Sequence, residues 1–338
     1  MFKFPDFFSK FFLKFFISIF EKFSNLFITF HLRPSLADRV KYLPSANISH
    51  TGSKIAIVMQ GPILMEDDFT FETLKLYSKI FSQHQIIFST WEDEELSHLN
   101  KIKSLPVELV LNSKPEFSGA SNVNFQITSS SGGIKRAKDL NSDYVFKTRS
   151  DQRIYSKDAI SVCLACLKQF PLVNIENQIE RIVSFNLNTF KYRLYGISDM
   201  NNFGNISDME KYWCADLDTR KEEEFSETKS LKEYAMQRYA EVFFVTSFLN
   251  LIEREITWTL KDSWEVYSEN FCILDVGCLD LLWKKYSHEE YRNLDYEKIA
   301  GNQFGFSDWL IMQSHKPSDV PEHIIEMDAS KVDFLSNE

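Results

Sequence analysis

Between residues 54 and 147 the chain alternates short apolar runs with segments of helical spacing, and this alternation restricts the possible folds more than any other feature. The apolar runs, read as buried strands, are Ile55–Met59, Gln85–Thr90, Val107–Leu111 and Tyr144–Lys147. Helical spacing covers Thr70–Phe81 and a segment from Ser121 or Asn122 to about Lys138. Strands separated by helices form parallel sheets with helices on both faces. The sequence therefore predicts an α/β fold with a mostly parallel, Rossmann-like sheet flanked by helices.

The second half of the chain is less regular and more helical. The predicted strands are Ile182–Leu187 and Leu194–Ile197, and the predicted helical stretches are Ser230–Arg254, Leu274–Tyr286 and Asp308–Gln313. The highly charged segment Asp216–Lys232 is typical of a solvated loop and helix start. We therefore divide the chain into a segment 1–32, a linker 33–53, an α/β domain 54–215 and a mostly helical region 216–338 packed on that domain.

The first 32 residues are dominated by phenylalanine, since 12 of the 31 phenylalanines in this 338-residue chain precede residue 31. The lysines that interrupt this segment are Lys3, Lys10, Lys14 and Lys22. No apolar run therefore reaches the roughly 18 residues that a membrane-spanning helix requires. At helical spacing most charged residues share one arc, which predicts an amphipathic helix with a wide aromatic face. We expect this helix to lie on a membrane surface; the alternative is docking on the protein's own body or on a partner.

Charge and cysteine content exclude some classes of function. The net charge of −10 argues against a nucleic-acid partner, because phosphate binding requires a basic surface. The five cysteines are an odd number without regular spacing, which indicates free thiols in a reducing compartment. Cys163 and Cys166 form a CxxC without a second pair, a pattern more typical of core packing than of a metal or redox site.

The stretch Lys147–Arg153 carries the strongest chemical signal. It follows a predicted buried strand, so basic and acidic side chains arrive together at the carboxyl end of that strand, where α/β sheets bind ligands. A carboxylate such as Asp151 can hold a divalent cation on a diphosphate. The cation, or lysine and arginine, can then neutralise the charge on a departing diphosphate. Transfer of a sugar from a nucleotide sugar needs this combination; a surface cluster of ion pairs is the alternative.

Two further stretches contribute candidate ligand groups. In Val58–Ile63 the first strand ends in Gln60, Gly61 and Pro62, and a glycine there allows a ligand to approach the backbone. Along the predicted helix after Ser121 the amides and small residues follow helical spacing and form one polar face, made of Asn122, Gln126, Ser129 and Gly133. That face either turns toward sugar hydroxyls in a cleft or faces solvent. No GxGxxG or P-loop motif supports a dinucleotide or P-loop site.

Five motifs in this order resemble the WavE lipopolysaccharide-synthesis family. They are Ile55–Ile63, Phe88–Trp91, Val107–Pro115, Asn122–Gln126 and Lys147–Arg153, within a similarity that covers about residues 54–215. The resemblance implies a GT-A-like glycosyltransferase fold that acts in lipopolysaccharide core, O-antigen or capsule assembly. In this family an Arg-Ser/Thr-Asp-Gln sequence takes the place of Asp-x-Asp, which leaves a divalent cation (Mn²⁺ or Mg²⁺) as one of two ways to neutralise the diphosphate.

The resulting hypothesis is a glycosyltransferase at the cytoplasmic face of a membrane, with a nucleotide-sugar donor and a lipid-linked glycan acceptor. The residues expected to bind the donor are Gln60, Gly61, Pro62, Asn122, Gln126, Lys138, Lys147, Arg149 and Gln152. Asp151 is expected to engage the metal or the donor phosphate. The candidate bases for the acceptor hydroxyl are Asp199, which we favour, and Glu241 and Asp308. The alternatives are a sugar- or polyol-phosphate transferase and a non-catalytic, membrane-attached assembly scaffold.

Overall fold

The computed structural model describes residues 6–24, 33–40, 52–173, 176–220, 230–285 and 303–315. The chain divides into two compact units, Met1–Val40 and Lys41–Glu338. In the first unit the described elements are helix α1 (Asp6–Ser24) and a short 3-10 turn, Ala37–Arg39. The predicted linker 33–53 lies partly outside the described residues, because 41–51 are not among them.

The second unit contains the α/β body. Its described strands are β1 (Ile55–Gln60), β2 (Gln85–Trp91), β3 (Glu108–Asn112), β4 (Tyr144–Arg149), β5 (Gln152–Ile154), β6 (Ile182–Phe185), β7 (Asn202–Asn205), β8 (Phe271–Leu274) and β9 (Leu281–Trp283). Its described helices are α2 (Phe69–Ile80), α3 (Leu96–Lys103), α4 (Val123–Asp139), α5 (Ala159–Gln169), α6 (Ile206–Trp213), α7 (Leu231–Met236), α8 (Ala240–Leu251), α9 (Leu260–Glu269) and α10 (Phe306–His315). The predicted first-half strands and helices are thus confirmed to within a few residues.

Seven strands form the central sheet in the order β3-β2-β1-β4-β7-β6-β8. The strands β1 to β4 run parallel to one another, and β8 runs parallel to β6, while β7 is antiparallel to both of its neighbours. All six residues of β1 are buried, as expected for a central strand covered by helices on both faces. The α/β class with a mostly parallel sheet is confirmed. The last strand comes from beyond residue 215, so the sheet draws on both halves of the chain.

Helix α4 packs closely on the sheet because the residue at the contact is a glycine. A Cβ atom added at Gly133 would lie 2.4 Å from a side-chain carbon of Val58 on β1, so only glycine permits this approach. The close contact brings the start of α4 next to the carboxyl ends of the strands.

Leu194–Ile197 is not a strand, contrary to the prediction, but a buried turn. Tyr195 has a positive φ of 54°, which an extended strand does not allow. Its backbone N–H donates to the Ser263 hydroxyl and its phenol to Asp262, both on α9. The apolar side chains are therefore buried by packing against a helix, a pattern that a short strand would share. The strand beside β4 is instead β7, which lies just beyond this turn.

Two predicted helices are also corrected. Leu274–Tyr286 holds the end of β8, a 3-10 turn and β9, because Asp280 has a left-handed φ of 47° and the following residues pair with β5. Tyr286 lies outside the described residues, as do 221–229 of the predicted loop 216–232. The predicted helix Ser230–Arg254 is split into α7 and α8 at Arg238, whose φ is 52°. The predicted helix 308–313 is confirmed within α10.

Helix α1 confirms that the N-terminal segment is helical over its described part. Its aromatic side chains are exposed, with Phe16 at 66% and Phe23 at 80% of their full area. A narrower face made of Leu13, Ile17 and Glu21 is half-buried. Among the described residues, no helix combines the length and the apolar character that crossing a bilayer would require. Residues 1–5 and 25–32 lie outside the described part.

Candidate functional site

A cleft of about 940 Å³ opens at the carboxyl ends of β1, β2 and β4. Its lining consists of Gln60, Gly61, Pro62, Ile63, Leu64, Glu66, Trp91, Asp93, Glu94, Lys114, Ser121, Asn122, Phe125, Gln126, Ser129, Arg149, Ser150, Asp151, Lys284 and Lys285. Seven of the predicted site residues are therefore brought together here: Gln60, Gly61, Pro62, Asn122, Gln126, Arg149 and Asp151.

The strand order explains why a cleft forms at this edge. The chain proceeds from β1 outward to β2 and β3, and then returns to place β4 on the other side of β1. The connections after β1 and β4 therefore leave the sheet in different directions, and a crevice opens between them, as at other topological switch points. Gln60 and Arg149 are register partners at this point, so both strand ends reach the cleft.

The floor is rigid around Gln60 and Gly61. Ser129 Oγ lies 2.6 Å from the Gln60 amide oxygen and 2.7 Å from the Phe125 carbonyl oxygen, so the hydroxyl ties the buried amide to α4. Gly61 has a φ of 121°, and a Cβ atom there would lie 2.6 Å from Ser150 Oγ. Glycine is therefore required at this position for both conformation and space.

The wall toward β2 is aromatic. The rings of Trp91 and Phe125 meet edge to face at 5.6 Å, and Lys114 lies 5.9 Å from the Trp91 ring. The predicted polar face of α4 is oriented in part toward this cleft, because Asn122 and Gln126 line it while Gly133 packs on the sheet. Within the described part of the chain, the buried Oε1 atom of Gln126 has no hydrogen-bond partner.

The wall beyond β4 is formed by a two-point ion pair. Arg149 donates from Nε to Asp151 Oδ1 at 2.9 Å and from Nη2 to Oδ2 at 3.0 Å. The indole N–H of Trp283, on β9, donates to the same Oδ2 at 3.1 Å. Burial would raise the pKa of the Asp151 carboxyl, but the charge and hydrogen bonds of Arg149, together with Trp283, hold it below its ordinary value.

The residues around Asp151 do not fit a cation cage. Over the described ranges, no three His, Cys, Asp or Glu side chains are grouped so that they could hold a metal ion. Both oxygens of Asp151 already accept hydrogen bonds from Arg149 and Trp283. We therefore derive no step through a metal ion.

Lys147 lies two residues before Arg149 on β4 but belongs to a different region, which we call the interior cluster: Lys147, Asp199, Tyr212, Trp213 and Glu241. The Lys147 side chain is fully buried and does not line the cleft. Its ammonium donates to the Asp199 carbonyl at 2.6 Å and lies 3.9 Å from the centre of the Trp213 ring. Burial lowers the pKa of Lys147 to about 7, against the opposing charge of Asp199.

Two predicted bases, Asp199 and Glu241, belong to the interior cluster and not to the cleft lining. Burial raises the pKa of Glu241, the charge of Asp199 raises it further, and Arg193 at 3.6 Å offsets part of the effect. Asp199 also raises the pKa of Tyr212, after the larger effect of burial. The two carboxylates therefore influence the pKa values of the same group of buried side chains around Lys147.

Three further predicted site residues lie elsewhere. Lys138 is at the exposed end of α4 and pairs with Glu210. Gln152 is buried on β5, where it accepts a hydrogen bond from Asn201 at 2.8 Å. Asp308 accepts from the Gly305 backbone N–H at 3.0 Å and pairs with a lysine, so it caps α10.

Some cleft residues were missed by sequence reasoning. Trp91 was part of a recognised motif but received no role. Lys284 and Lys285 lie in a stretch that the sequence predicts to be helical, and they line the cleft because β9 pairs with β5. Trp283, in the same stretch, reaches the Asp151 carboxylate behind the cleft. The consecutive aromatic and basic residues there are the one sequence signal that could have marked them.

The comparisons with known proteins point to one family. The family described as WavE lipopolysaccharide synthesis matches residues 55–252. No curated protein matches the chain at a significant level.

Solved structures give remote likenesses only. A mannose-1-phosphate geranyltransferase from Thermus thermophilus is 15% identical, with a TM-score of 0.27 over 42% of this chain and 44% of that one, so the chain spans less than half of its length. A 4-diphosphocytidyl-2C-methyl-D-erythritol synthase from Anaerococcus prevotii is 12% identical, with a TM-score of 0.36 over 78% of this chain and 98% of that one. A cytidylyltransferase from Leptospira borgpetersenii is 12% identical, with a TM-score of 0.33 over 79% and 95%. At scores of this size we draw no conclusion about activity from them.

Proposed function

The chain belongs to the WavE lipopolysaccharide synthesis family, and from this membership we propose that it is a GT-A-type glycosyltransferase. It transfers a sugar from a nucleotide-sugar donor to a lipopolysaccharide, O-antigen or capsule glycan. The observation that carries the proposal is the composition of the cleft, where an aromatic wall, amide side chains and a half-buried guanidinium line one space of about 940 Å³. A volume near the upper end of the usual range for ligand sites suits a donor that joins a base, a diphosphate and a sugar.

The nucleoside is assigned to the β1–β2 side of the cleft. Phe125 is half-buried and rests on the buried Trp91 ring, so it offers aromatic surface on the cleft, and stacking of a base on such a surface contributes about 1–3 kcal/mol. The Gln60 amide is held by Ser129 and lines the cleft, and it is assigned a hydrogen bond to the nucleoside. The buried oxygen of Gln126 gains a partner when a ligand donor reaches it, and leaving such an acceptor unpaired costs about 1–3 kcal/mol.

The diphosphate is assigned to the β4 side, next to Arg149. As the bond to the sugar breaks, negative charge grows on the departing diphosphate, and a fixed guanidinium stabilises that charge without reorganising. Gly61, with no side chain, lets the donor approach the backbone between the two sides.

The candidate acceptor bases lie in the interior cluster, which does not line the cleft, so the proposal requires an acceptor hydroxyl that reaches this cluster from outside the donor site. Asp199, our first candidate from the sequence, and Glu241 share one electrostatic environment, in which burial and the charge of Asp199 raise the pKa of Glu241. Asp308 is left out of the proposed site because its carboxylate caps a helix.

The experiment is a transfer assay with purified protein, a panel of UDP-, GDP-, CDP- and dTDP-sugars, and core oligosaccharide acceptors. We expect one donor class to release its nucleoside diphosphate in step with a glycosylated product. A product that retains phosphorus would instead assign the chain to sugar- or polyol-phosphate transfer. Failure of every nucleotide sugar to bind in calorimetry would favour the scaffold.

We also propose that the protein attaches to the cytoplasmic face of a membrane through residues 1–32 and there meets a lipid-linked acceptor. The support is the exposed aromatic face of α1, which carries exposed Phe16 and Phe23 together with Lys14 and Lys22. Burial of such a face in the interface of an anionic bilayer is favourable. Deleting residues 1–32 should abolish co-sedimentation with phosphatidylglycerol vesicles while nucleotide binding persists. Undiminished sedimentation would rule out this anchor.

A further inference from the structure

Both carboxylate oxygens of Asp151 accept hydrogen bonds from protein groups. In an Asp-x-Asp motif, by contrast, the carboxylate would bind a cation. The Arg149 fork donates to each oxygen, at 2.9 and 3.0 Å, and the Trp283 indole adds a third bond at 3.1 Å. The side chains are 21% and 16% exposed, so the pair is largely withdrawn from water. A two-point pair of this kind fixes the guanidinium plane as well as its charge.

The other ion pairs of the cleft differ in exposure. Lys284 pairs with Glu66 and Asp67, whose side chains are 68% and 74% exposed, and Lys114 pairs with Asp93, which is 59% exposed. Exposed pairs contribute only about 0–1 kcal/mol, so both lysines can exchange their carboxylates for a bound anion at little cost. Breaking the Arg149–Asp151 pair would leave a buried carboxylate without its partner, which is far more costly.

This contrast determines how the cleft can accept a dianion. The carboxylates and cations that line it are equal in number, so a diphosphate is accommodated only if some pairs open. The exposed pairs of Lys284 can open so that their carboxylates turn to water, and its ammonium then joins the guanidinium that Asp151 keeps in position.

We infer that Asp151 is a positioning residue for Arg149 and not a cation ligand, and that the donor diphosphate binds without a divalent cation. This inference rests on the proposed function, since it concerns the same nucleotide-sugar site. It assigns the neutralisation of the diphosphate to Arg149 and to Lys284, whose backbone N–H donates to the Asp151 carbonyl at 2.9 Å.

The first test uses the wild-type protein and needs no variant. UDP, GDP, CDP and dTDP are titrated calorimetrically in EDTA and in MnCl₂. We expect at least one to bind with an affinity that differs by less than about threefold between the two buffers. Binding that tightens by about tenfold or more in MnCl₂, a difference of about 1.4 kcal/mol, overturns the inference and leaves the proposed function intact. Absence of binding in both buffers overturns the proposed function and the inference together.

The second test separates positioning from cation binding. In Asp151→Asn we expect affinity to fall by about tenfold or more in EDTA and MnCl₂ alike, because the guanidinium loses its fork partner. A cation ligand would instead lose only the response to manganese, and that result overturns the inference.

A chemical rescue completes the test. Guanidinium chloride at millimolar concentration should restore part of the nucleotide affinity of Arg149→Ala, because Asp151 can still hold the small cation. It should restore none in the Arg149→Ala/Asp151→Asn double variant. Equal rescue of both variants contradicts a positioning role. Circular dichroism of each variant identifies any that fail to fold, and the wild-type titration decides the inference in that case.

Discussion

The two basic side chains of β4 occupy regions of opposite character, although they are only two residues apart and so share one face of the sheet. Arg149 lies in the cleft, keeps about a fifth of its side chain exposed and is paired with Asp151. Lys147 belongs to the interior cluster, is fully buried and donates only to backbone carbonyls among its described hydrogen bonds.

The difference shows that the burial of a basic side chain decides whether its charge can serve a ligand. In the cleft, a carboxylate partner holds the guanidinium in one orientation, so its permanent charge remains available to a ligand. In the interior, burial disfavours the ammonium, and its pKa falls to about 7. We therefore expect substitutions of Arg149 in the cleft to change binding and transfer. Substitutions of Lys147 should change stability and its pH dependence.

The largest effect should come from Arg149→Ala. We expect transfer to fall by about 100- to 1,000-fold, because the charge that stabilises the departing diphosphate is lost. The matched control is Lys138→Ala, which removes a basic side chain that pairs with Glu210 outside the cleft. Steady-state kinetics on both variants test the comparison, and equal activity of the two would contradict the role of Arg149.

The carboxylates of the interior cluster should show a different signature. For whichever of Asp199 and Glu241 is the base, the amide variant, Asp199→Asn or Glu241→Gln, should cut turnover by about 100-fold. Nucleotide affinity should be unchanged, because neither residue lines the cleft. Donor calorimetry and turnover on the same preparations decide the matter. Loss of donor affinity would move the residue into the nucleotide site, and full turnover in both variants would remove the cluster from catalysis.

Lys147→Met should change the pH dependence of stability. The lysine of the unfolded chain keeps its ordinary pKa of 10.5, so the unfolded chain binds more protons between about pH 7 and that value. The free energy of unfolding should therefore rise between pH 7 and pH 9 by about 2–3 kcal/mol through this group. The variant should lose that rise. Urea unfolding of both proteins across this range measures it, and an identical slope would show that the ammonium is not desolvated.

Gly61→Ala should give the smallest of these effects, and it acts at the floor of the cleft. The added methyl group meets Ser150 at a positive φ, and we expect a loss of about 1–2 kcal/mol of stability together with weaker nucleotide binding. Gly277→Ala is the matched control, since a Cβ atom there has open space. Thermal unfolding compares them, and equal stability would show that the floor of the cleft relaxes easily.

Much of the first half of the fold could be predicted because its signals are local. Apolar runs bounded by turn residues predicted β1 to β4, and the same reasoning brought Gln60, Arg149 and Asp151 to strand ends at one edge of the sheet. The second half was harder to predict, since turns such as that at Tyr195 bury apolar residues as a strand would. Positive φ values there depend on partners on α9, which lie far along the chain.

The order of charged groups along the sequence determined which side chains reach the carboxyl end of β4, because alternation along a strand is a property of the backbone. Only the tertiary structure decided that Lys147 is covered by Trp213 while Arg149 is left at the cleft. Only the tertiary structure, too, brought Trp283 to Asp151 across 132 residues. Burial and partner choice depend on which distant elements pack together, and the free energy of those contacts is shared among segments that no local pattern connects.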